Sequence, residues 1–107
     1  LLASSAASDV YKEDVYGAEA KYKVAQIYFD GGQTDKAEQE VLNYIEVSTP
    51  HTYWLARSFV LLADVYMKLG RNLDAKQYLL SLKQNYQADD DIAGMIESRL
   101  EKLKTEN

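Results

Sequence analysis

The 107-residue sequence predicts an all-α fold, an α-α superhelix built from helical hairpins. Three observations lead to this class. Good helix formers dominate the chain, while it contains only five glycines and one proline. Apolar residues recur at helical spacing and no strand pattern is present. A stretch of about thirty residues also recurs after an offset of 38 residues.

The first two helices are expected at about 16–30 and 34–47. Gly32 follows the first one, at the position where a left-handed residue commonly ends a helix. Thr34 is a candidate N-cap of the second helix. That helix should end before Pro50, because proline biases the residue before it out of the helical region. Residues 1–8 could be the tail of an earlier helix.

The third helix is expected at about 53–69, with Thr52 as a candidate N-cap and Gly70 after its end. Apolar side chains cover nearly its whole circumference, which predicts a middle helix buried on several sides. A membrane span is excluded because charged residues interrupt it at Arg57, Asp64 and Lys68.

The last two helices are expected at about 72–86 and 91–104. Asn72 is a candidate N-cap of the fourth helix. The acidic run 89–91 suits the start of the fifth, as a cap and as a match to the helix dipole, better than a calcium loop. One apolar stripe marks the fifth helix as a terminal cap of the fold. The stripe consists of Ile92, Ile96, Leu100 and Leu103.

The repeated positions are small, aromatic and turn residues. The pairs are Val24 and Leu62, Ala25 and Ala63, Tyr28 and Tyr66, Gly32 and Gly70, Ala37 and Ala75, and Leu42 and Leu80. Small residues at Ala25 and Ala37 would let two helices of one hairpin approach closely. The tyrosine three residues after the first alanine lies on the same face and should fill the hairpin end with its hydroxyl in water.

These paired motifs resemble the tetratricopeptide repeat (TPR). The resemblance covers roughly residues 18–87, with repeat 1 at about 18–50 and repeat 2 at about 54–87, followed by the capping helix at about 91–104. Leu79 and Val41 stand where the family has its second aromatic residue, and Leu82 and Tyr44 replace its last alanine.

The period of 38 and the Tyr-, Ala- and Lys-rich style are similar to bacterial envelope-type TPR proteins. This narrower resemblance weakly favours the cell envelope or periplasm. The chain begins without Met, so we expect residues 1–107 to be a single domain from the C-terminal part of a longer protein.

The resemblance implies a protein–protein interaction module that binds a partner peptide or protein in a concave groove. Its lining positions correspond to Glu19, Tyr22, Gln26 and Phe29 in repeat 1, and to Arg57, Val60, Asp64 and Met67 in repeat 2. These side chains could instead pack against neighbouring helices. An alternative function is a structural spacer or self-association scaffold within a longer repeat array.

Composition argues against several other functions. The chain has no cysteine and a single histidine, His51, which excludes thiolate sites and a zinc site with several imidazoles. A formal net charge of −5 argues against nucleic-acid binding. Residues 51–88 hold five basic and two acidic side chains, which could suit an acidic partner or simply complement neighbouring helices. We expect no enzyme activity, no cofactor and no membrane insertion.

Overall fold

The computed structural model describes residues 15–46 and 50–105, and within them it contains five helices and no strand. The helices are α1 (Val15–Asp30), α2 (Thr34–Glu46), α3 (Thr52–Lys68), α4 (Asn72–Asn85) and α5 (Ile92–Thr105). The all-α prediction is confirmed, with predicted and observed ends within one residue of each other wherever both can be compared. The predicted helical tail at residues 1–8 lies outside the described residues, as does the predicted last residue of the second helix.

The N-caps of α3 and α4 each lie one residue before the predicted cap. Thr52 and Asn72 are the first helical residues of α3 and α4, and the N-cap positions belong to His51 and Arg71. Neither cap residue makes a side-chain hydrogen bond to the helix. Their carbonyl oxygens already accept the first intrahelical bonds, each at 3.1 Å, so the helical turn begins one residue earlier than side-chain preference indicated.

The start of α5 follows the expectation for the acidic run. The backbone N–H of Ile92 donates to the Asp90 carboxylate at 2.9 Å. This bond satisfies one of the N–H groups that a helix start leaves without an intrahelical partner.

Both hairpin turns have the same hydrogen-bond pattern, 38 residues apart. Gly32 and Gly70 adopt left-handed φ values of 81° and 78°. In each turn, one bond spans six residues and a second spans four, which is the Schellman arrangement that closes a helix end. The bonds are Gln33 to Tyr28 (2.8 Å), Gly32 to Phe29 (3.1 Å), Arg71 to Tyr66 (2.7 Å) and Gly70 to Met67 (3.1 Å). The predicted duplication therefore extends to the backbone.

The helices form two layers. In one layer α1 contacts α3 and α3 contacts α5; in the other, α2 packs against α1 and α3, and α4 packs against α3 and α5. The predicted middle helix, α3, contacts all four others and is the most buried element. The paired small residues are all fully buried, as their spacing predicted. They are Ala25, Ala37, Ala63 and Ala75.

The repeated tyrosine of the second hairpin also links the two repeats. The ring of Tyr66 is buried, and its hydroxyl lies near the Glu38 side chain of α2. Burial, and next the neighbouring Glu38 carboxylate, raise the pKa of Tyr66 to about 12. The guanidinium of Arg71 lies 4.3 Å from the ring centroid. Tyr66 therefore lies at the contact between the α1–α2 hairpin and the α3–α4 hairpin.

The last helix covers the end of the described fold. Ile92, Ile96 and Leu103 are buried and Leu100 is half-buried, so the predicted apolar stripe faces the protein. The charged residues of α5 are largely exposed. Within the described residues, no helix combines the length and the apolar character needed to cross a bilayer.

Candidate partner-binding groove

The layer formed by α1, α3 and α5 carries all eight residues predicted to line a groove. Two of them are core residues: Val60 is 2% exposed and Tyr22 is 7% exposed. The other six are half-buried. They are Glu19, Gln26, Phe29, Arg57, Asp64 and Met67. Glu19 forms an ion pair with Lys23 one turn later, at 2.7 Å.

Arg57 organises one end of this layer through hydrogen bonds. Its Nη2 donates to the Tyr22 hydroxyl oxygen at 3.1 Å and its Nη1 donates to the Tyr53 hydroxyl oxygen at 2.9 Å. The Tyr22 hydroxyl in turn donates to Gln26 at 2.8 Å, and the Tyr53 hydroxyl donates to Asp91 at 2.8 Å. This network ties α1, α3 and the start of α5 together.

Aromatic rings close the same end. The Trp54 ring lies 5.5 Å from Tyr22 and 5.0 Å from Tyr53, and the Arg57 guanidinium is 4.8 Å from the Tyr22 ring centroid. A guanidinium at these distances gains cation–π attraction as well as hydrogen bonds. Burial lowers the pKa of Arg57, but the hydrogen bonds to the two phenols outweigh burial and raise it. The groove is therefore filled here by its own side chains.

Sequence reasoning missed Tyr53 and Trp54 in this cluster. Both lie at the start of α3, before the positions at which the family pattern places groove residues. The sequence feature that could have identified them is a run of three consecutive large or aromatic residues next to the proline turn. That pattern was interpreted only as part of a helix apolar on all sides.

The opposite end of the layer contains a second link between helices. Arg99 of α5 donates from Nε and Nη2 to the two carboxylate oxygens of Asp64, at 2.7 and 2.9 Å. Its Nη1 also donates to the Met95 carbonyl oxygen at 3.2 Å. This bidentate geometry is the most favourable one for an arginine–carboxylate pair. Arg99 was not predicted as a groove residue because the family positions were carried over only to two helices.

An open cavity of about 690 Å³ lies between α1, α3 and α5, beside this ion pair. Three predicted groove residues line it, and four further residues complete it. The predicted ones are Phe29, Asp64 and Met67, and the others are Lys68, Ser98, Arg99 and Lys102. The structure thus brings together one residue of α1 and residues of two other helices that lie far apart in the sequence.

The cavity combines apolar and cationic groups. Phe29 and Met67 supply apolar surface, and both pack against the core. The ammonium groups of Lys68 and Lys102 form no ion pair with any described residue. Because Arg99 already neutralises Asp64, the two lysines leave a local positive charge in a protein whose net charge is −5.

The described residues hold no group of three or more His, Asp or Glu side chains placed to bind a metal ion. The cavity and its surroundings combine apolar surface, two cations and a hydrogen-bonded wall.

The fold defines an all-α helical-repeat protein whose units are two-helix hairpins. Comparison with known families agrees: residues 56–87, which span most of α3 and all of α4, match the family model described as tetratricopeptide repeat. No curated protein and no solved structure matches the chain. The match supports the TPR resemblance of repeat 2, and repeats of this family are typically interaction modules.

Proposed function

We propose that this protein is an interaction module that binds a peptide segment of a partner protein in the groove between α1, α3 and α5. The observation that carries the proposal is the cavity of about 690 Å³ in which Phe29, Asp64 and Met67 converge. Its volume is in the range of about 300–1,000 Å³ that is usual for ligand sites. The TPR match over residues 56–87 supports the same class of function.

The chemistry of the cavity favours a peptide that is both acidic and apolar. Phe29 and Met67 offer surface to one large apolar side chain. Lys68 and Lys102 offer two cations to carboxylates of the same peptide. A peptide that matches both would gain affinity from the apolar contact, and orientation from the charges.

The end of the groove that contains Arg57 has a structural role. Tyr22 hydrogen-bonds to both Gln26 and Arg57, and Val60 lies in the core. We assign them to holding α1 at a set distance from α3. Preorganised walls of this kind lower the ordering cost of binding. Substitutions there would disturb the fold, so they are poor tests of binding.

The test is selection of phage-displayed random peptides on the immobilised protein, followed by fluorescence anisotropy with the recovered peptides. The binding variant is Lys68→Glu with Lys102→Glu. The matched control is Lys76→Glu, an exposed lysine on α4. We expect peptides with an acidic residue near a large apolar one, a dissociation constant at least about tenfold higher for the binding variant, and no change for the control.

Equal affinities for the wild-type protein and the Lys68→Glu, Lys102→Glu variant would contradict the groove proposal, provided that circular dichroism shows both proteins folded. Failure to enrich any peptide would favour the alternative function, a structural spacer or self-association scaffold in a longer repeat array. The resemblance to bacterial envelope-type TPR proteins, and with it an envelope location, stays a prediction from the sequence.

A further inference from the structure

The outward side of α4 carries exposed leucines. Leu73 is 70% exposed and Leu80 is 44% exposed. They are seven residues apart, so both lie on one side of the helix, about 130–150° around its axis from the buried residues of α4. Leu69, the C-cap residue of α3 in the turn before α4, is also 44% exposed. Exposed apolar side chains aligned on one side of a helix, rather than scattered, indicate a contact surface.

The 38-residue duplication shows that the hairpin does not need leucine at two of these positions. Leu69 corresponds to Gly31, and Leu73 corresponds to Asp35. Gly31 and Asp35 are exposed, although the next hairpin follows and its helix α3 packs on both α1 and α2. A hairpin stacked in the same way on α3 and α4 would therefore leave positions 69 and 73 exposed too. Stacking of hairpins does not explain these leucines, which are available to a different partner.

A cavity of about 240 Å³ adjoins Leu80, in the space between α4 and α5. Leu100 and Leu103 supply its other apolar side chains. The remaining side chains of its lining are charged, and they are Lys76, Lys83, Glu97, Glu101 and Lys104. This cavity shares no residue with the groove cavity of about 690 Å³, although α5 lines both. A molecule bound at α4 would therefore contact a surface separate from the groove.

The charges around this cavity leave one lysine without a counter-ion. Lys83 pairs with Glu97 at 2.6 Å, and Lys104 pairs with Glu101 at 3.7 Å. Lys76 lies between the two leucines of α4 along the chain and forms no ion pair with any residue that the structure describes. The surface is thus apolar, with one unpaired cation at its centre.

The position of Lys76 argues against a second copy of the chain on this surface. An antiparallel twofold contact that packs Leu73 on Leu80 of the other copy has its axis between positions 76 and 77. The two Lys76 side chains would then lie about 1.5 Å apart along the helix axis, and like charges at a contact repel. A helix that presents a carboxylate at this level would instead pair with Lys76.

We propose that α4, with the cavity beside α5, is a second docking surface, which binds an acidic amphipathic helix of a partner protein. Apolar side chains seven residues apart on the partner helix pack on Leu73 and Leu80. A carboxylate between them pairs with Lys76. Recognition of a helix through apolar anchors at helical spacing is a common mode of peptide binding. Because this surface and the groove do not overlap, one molecule can hold two partners.

The test is a selection from a phage library of helical peptides. Positions i, i+3, i+4 and i+7 of an Ala- and Gln-rich helix are randomised, which varies one face only. The immobilised protein carries Lys68→Glu and Lys102→Glu, so that binding in the groove does not decide the result. We expect apolar residues at i and i+7, with Asp or Glu at i+3 or i+4.

Fluorescence anisotropy with a recovered peptide then measures the contribution of each side chain in the same protein. Leu73→Gln should raise the dissociation constant by about tenfold or more. Lys76→Glu should raise it by about fivefold or more, and a peptide with lysine in place of its acidic residue should restore binding to that variant. The matched control is Ile27→Gln, which replaces a side chain of α1 that is 68% exposed and should leave the dissociation constant unchanged.

Two results would overturn the proposal. One is the absence of enriched acidic helices, or enriched helices that bind the Leu73→Gln, Lys76→Glu and Ile27→Gln variants equally. The other is concentration-dependent dimerisation in analytical ultracentrifugation that Leu73→Gln abolishes, because a second copy would then cover α4. Loss of binding in the groove with retained binding at α4 would contradict only the groove proposal.

Discussion

Arg99 on α5 and Asp64 on α3 form a bidentate ion pair, with both nitrogen–oxygen distances below 3 Å. The pair joins the terminal helix to the middle helix at the edge of the cavity that we propose as the binding site. Both side chains are about one quarter exposed. Because water screens the pair only partly, it should stabilise the docking of α5 more than an ordinary surface pair would.

We predict a measurable coupling between these two residues. In a double-mutant cycle with Asp64→Ala and Arg99→Ala, urea unfolding should give a coupling free energy of about 1–2 kcal/mol. The control cycle uses Arg71 and Asp74, a pair of the same residue types in which the side chains are 50% and 42% exposed. Its coupling should be about 0.5 kcal/mol or less. Equal couplings in the two cycles would contradict a structural role for the Asp64–Arg99 pair.

Substitution by alanine at two glycines should change the stability of the protein in opposite directions. A Cβ atom would meet no atom within 4 Å at either Gly70 or Gly94, so only backbone conformation distinguishes them. Gly70 has a φ of 78°, and Gly70→Ala should destabilise the protein by about 1–2 kcal/mol. Gly94 lies within α5, and Gly94→Ala should stabilise it by about 0.5–1 kcal/mol. Thermal denaturation measures both, and shifts of the same sign would refute the explanation.

The position of Ala63 on α3 should tolerate no larger side chain. Ala63 is fully buried in the hairpin, so Ala63→Leu should overpack the joint and destabilise the fold by about 1–3 kcal/mol. Ala93→Leu on the exposed face of α5 is the matched control and should change stability by less than about 0.5 kcal/mol. A neutral Ala63→Leu variant would show that the hairpin can open without cost.

Tyr66 should contribute to a loss of stability at alkaline pH. Its pKa in the folded protein is about 12, above the ordinary value of 10.0, so folding favours the protonated phenol. The contribution is therefore complete below pH 10 and disappears as the pH rises from about 10 to 12. Urea unfolding between pH 8 and 12 should show a shallower decline for Tyr66→Phe than for the wild-type protein.

The pH experiment has two internal references. Tyr66→Phe also removes the phenol that lies near Glu38, so the stability of each protein at pH 8 is its own baseline. Tyr16→Phe alters a ring that is 77% exposed and should leave the whole profile as in the wild-type protein. Identical alkaline declines for all three proteins would exclude Tyr66 as a cause. Tyr86, whose pKa is also raised to about 12, should account for part of the decline that persists in Tyr66→Phe.

Most of the helical framework could be predicted from the sequence because its signals are local. The glycines at 32 and 70, the alanines of the hairpins and the apolar stripe of α5 each depend on spacing within one helix or one turn. The N-caps of α3 and α4 lie one residue before the predicted ones, at residues whose side chains form no capping bond. The candidate groove was predicted less well. Positions on one helix do not show which side chains of another helix will reach them.

Sequence by itself determined the fold class, the 38-residue duplication and the helix faces that turn inward. These follow from periodicity and backbone preference, which act over a few residues. Only the tertiary structure decided that Arg57 would fill one end of the groove, and that Lys68, Arg99 and Lys102 would meet at the other. The reason is that such contacts depend on the distance and angle between packed helices, and those are set by the whole core.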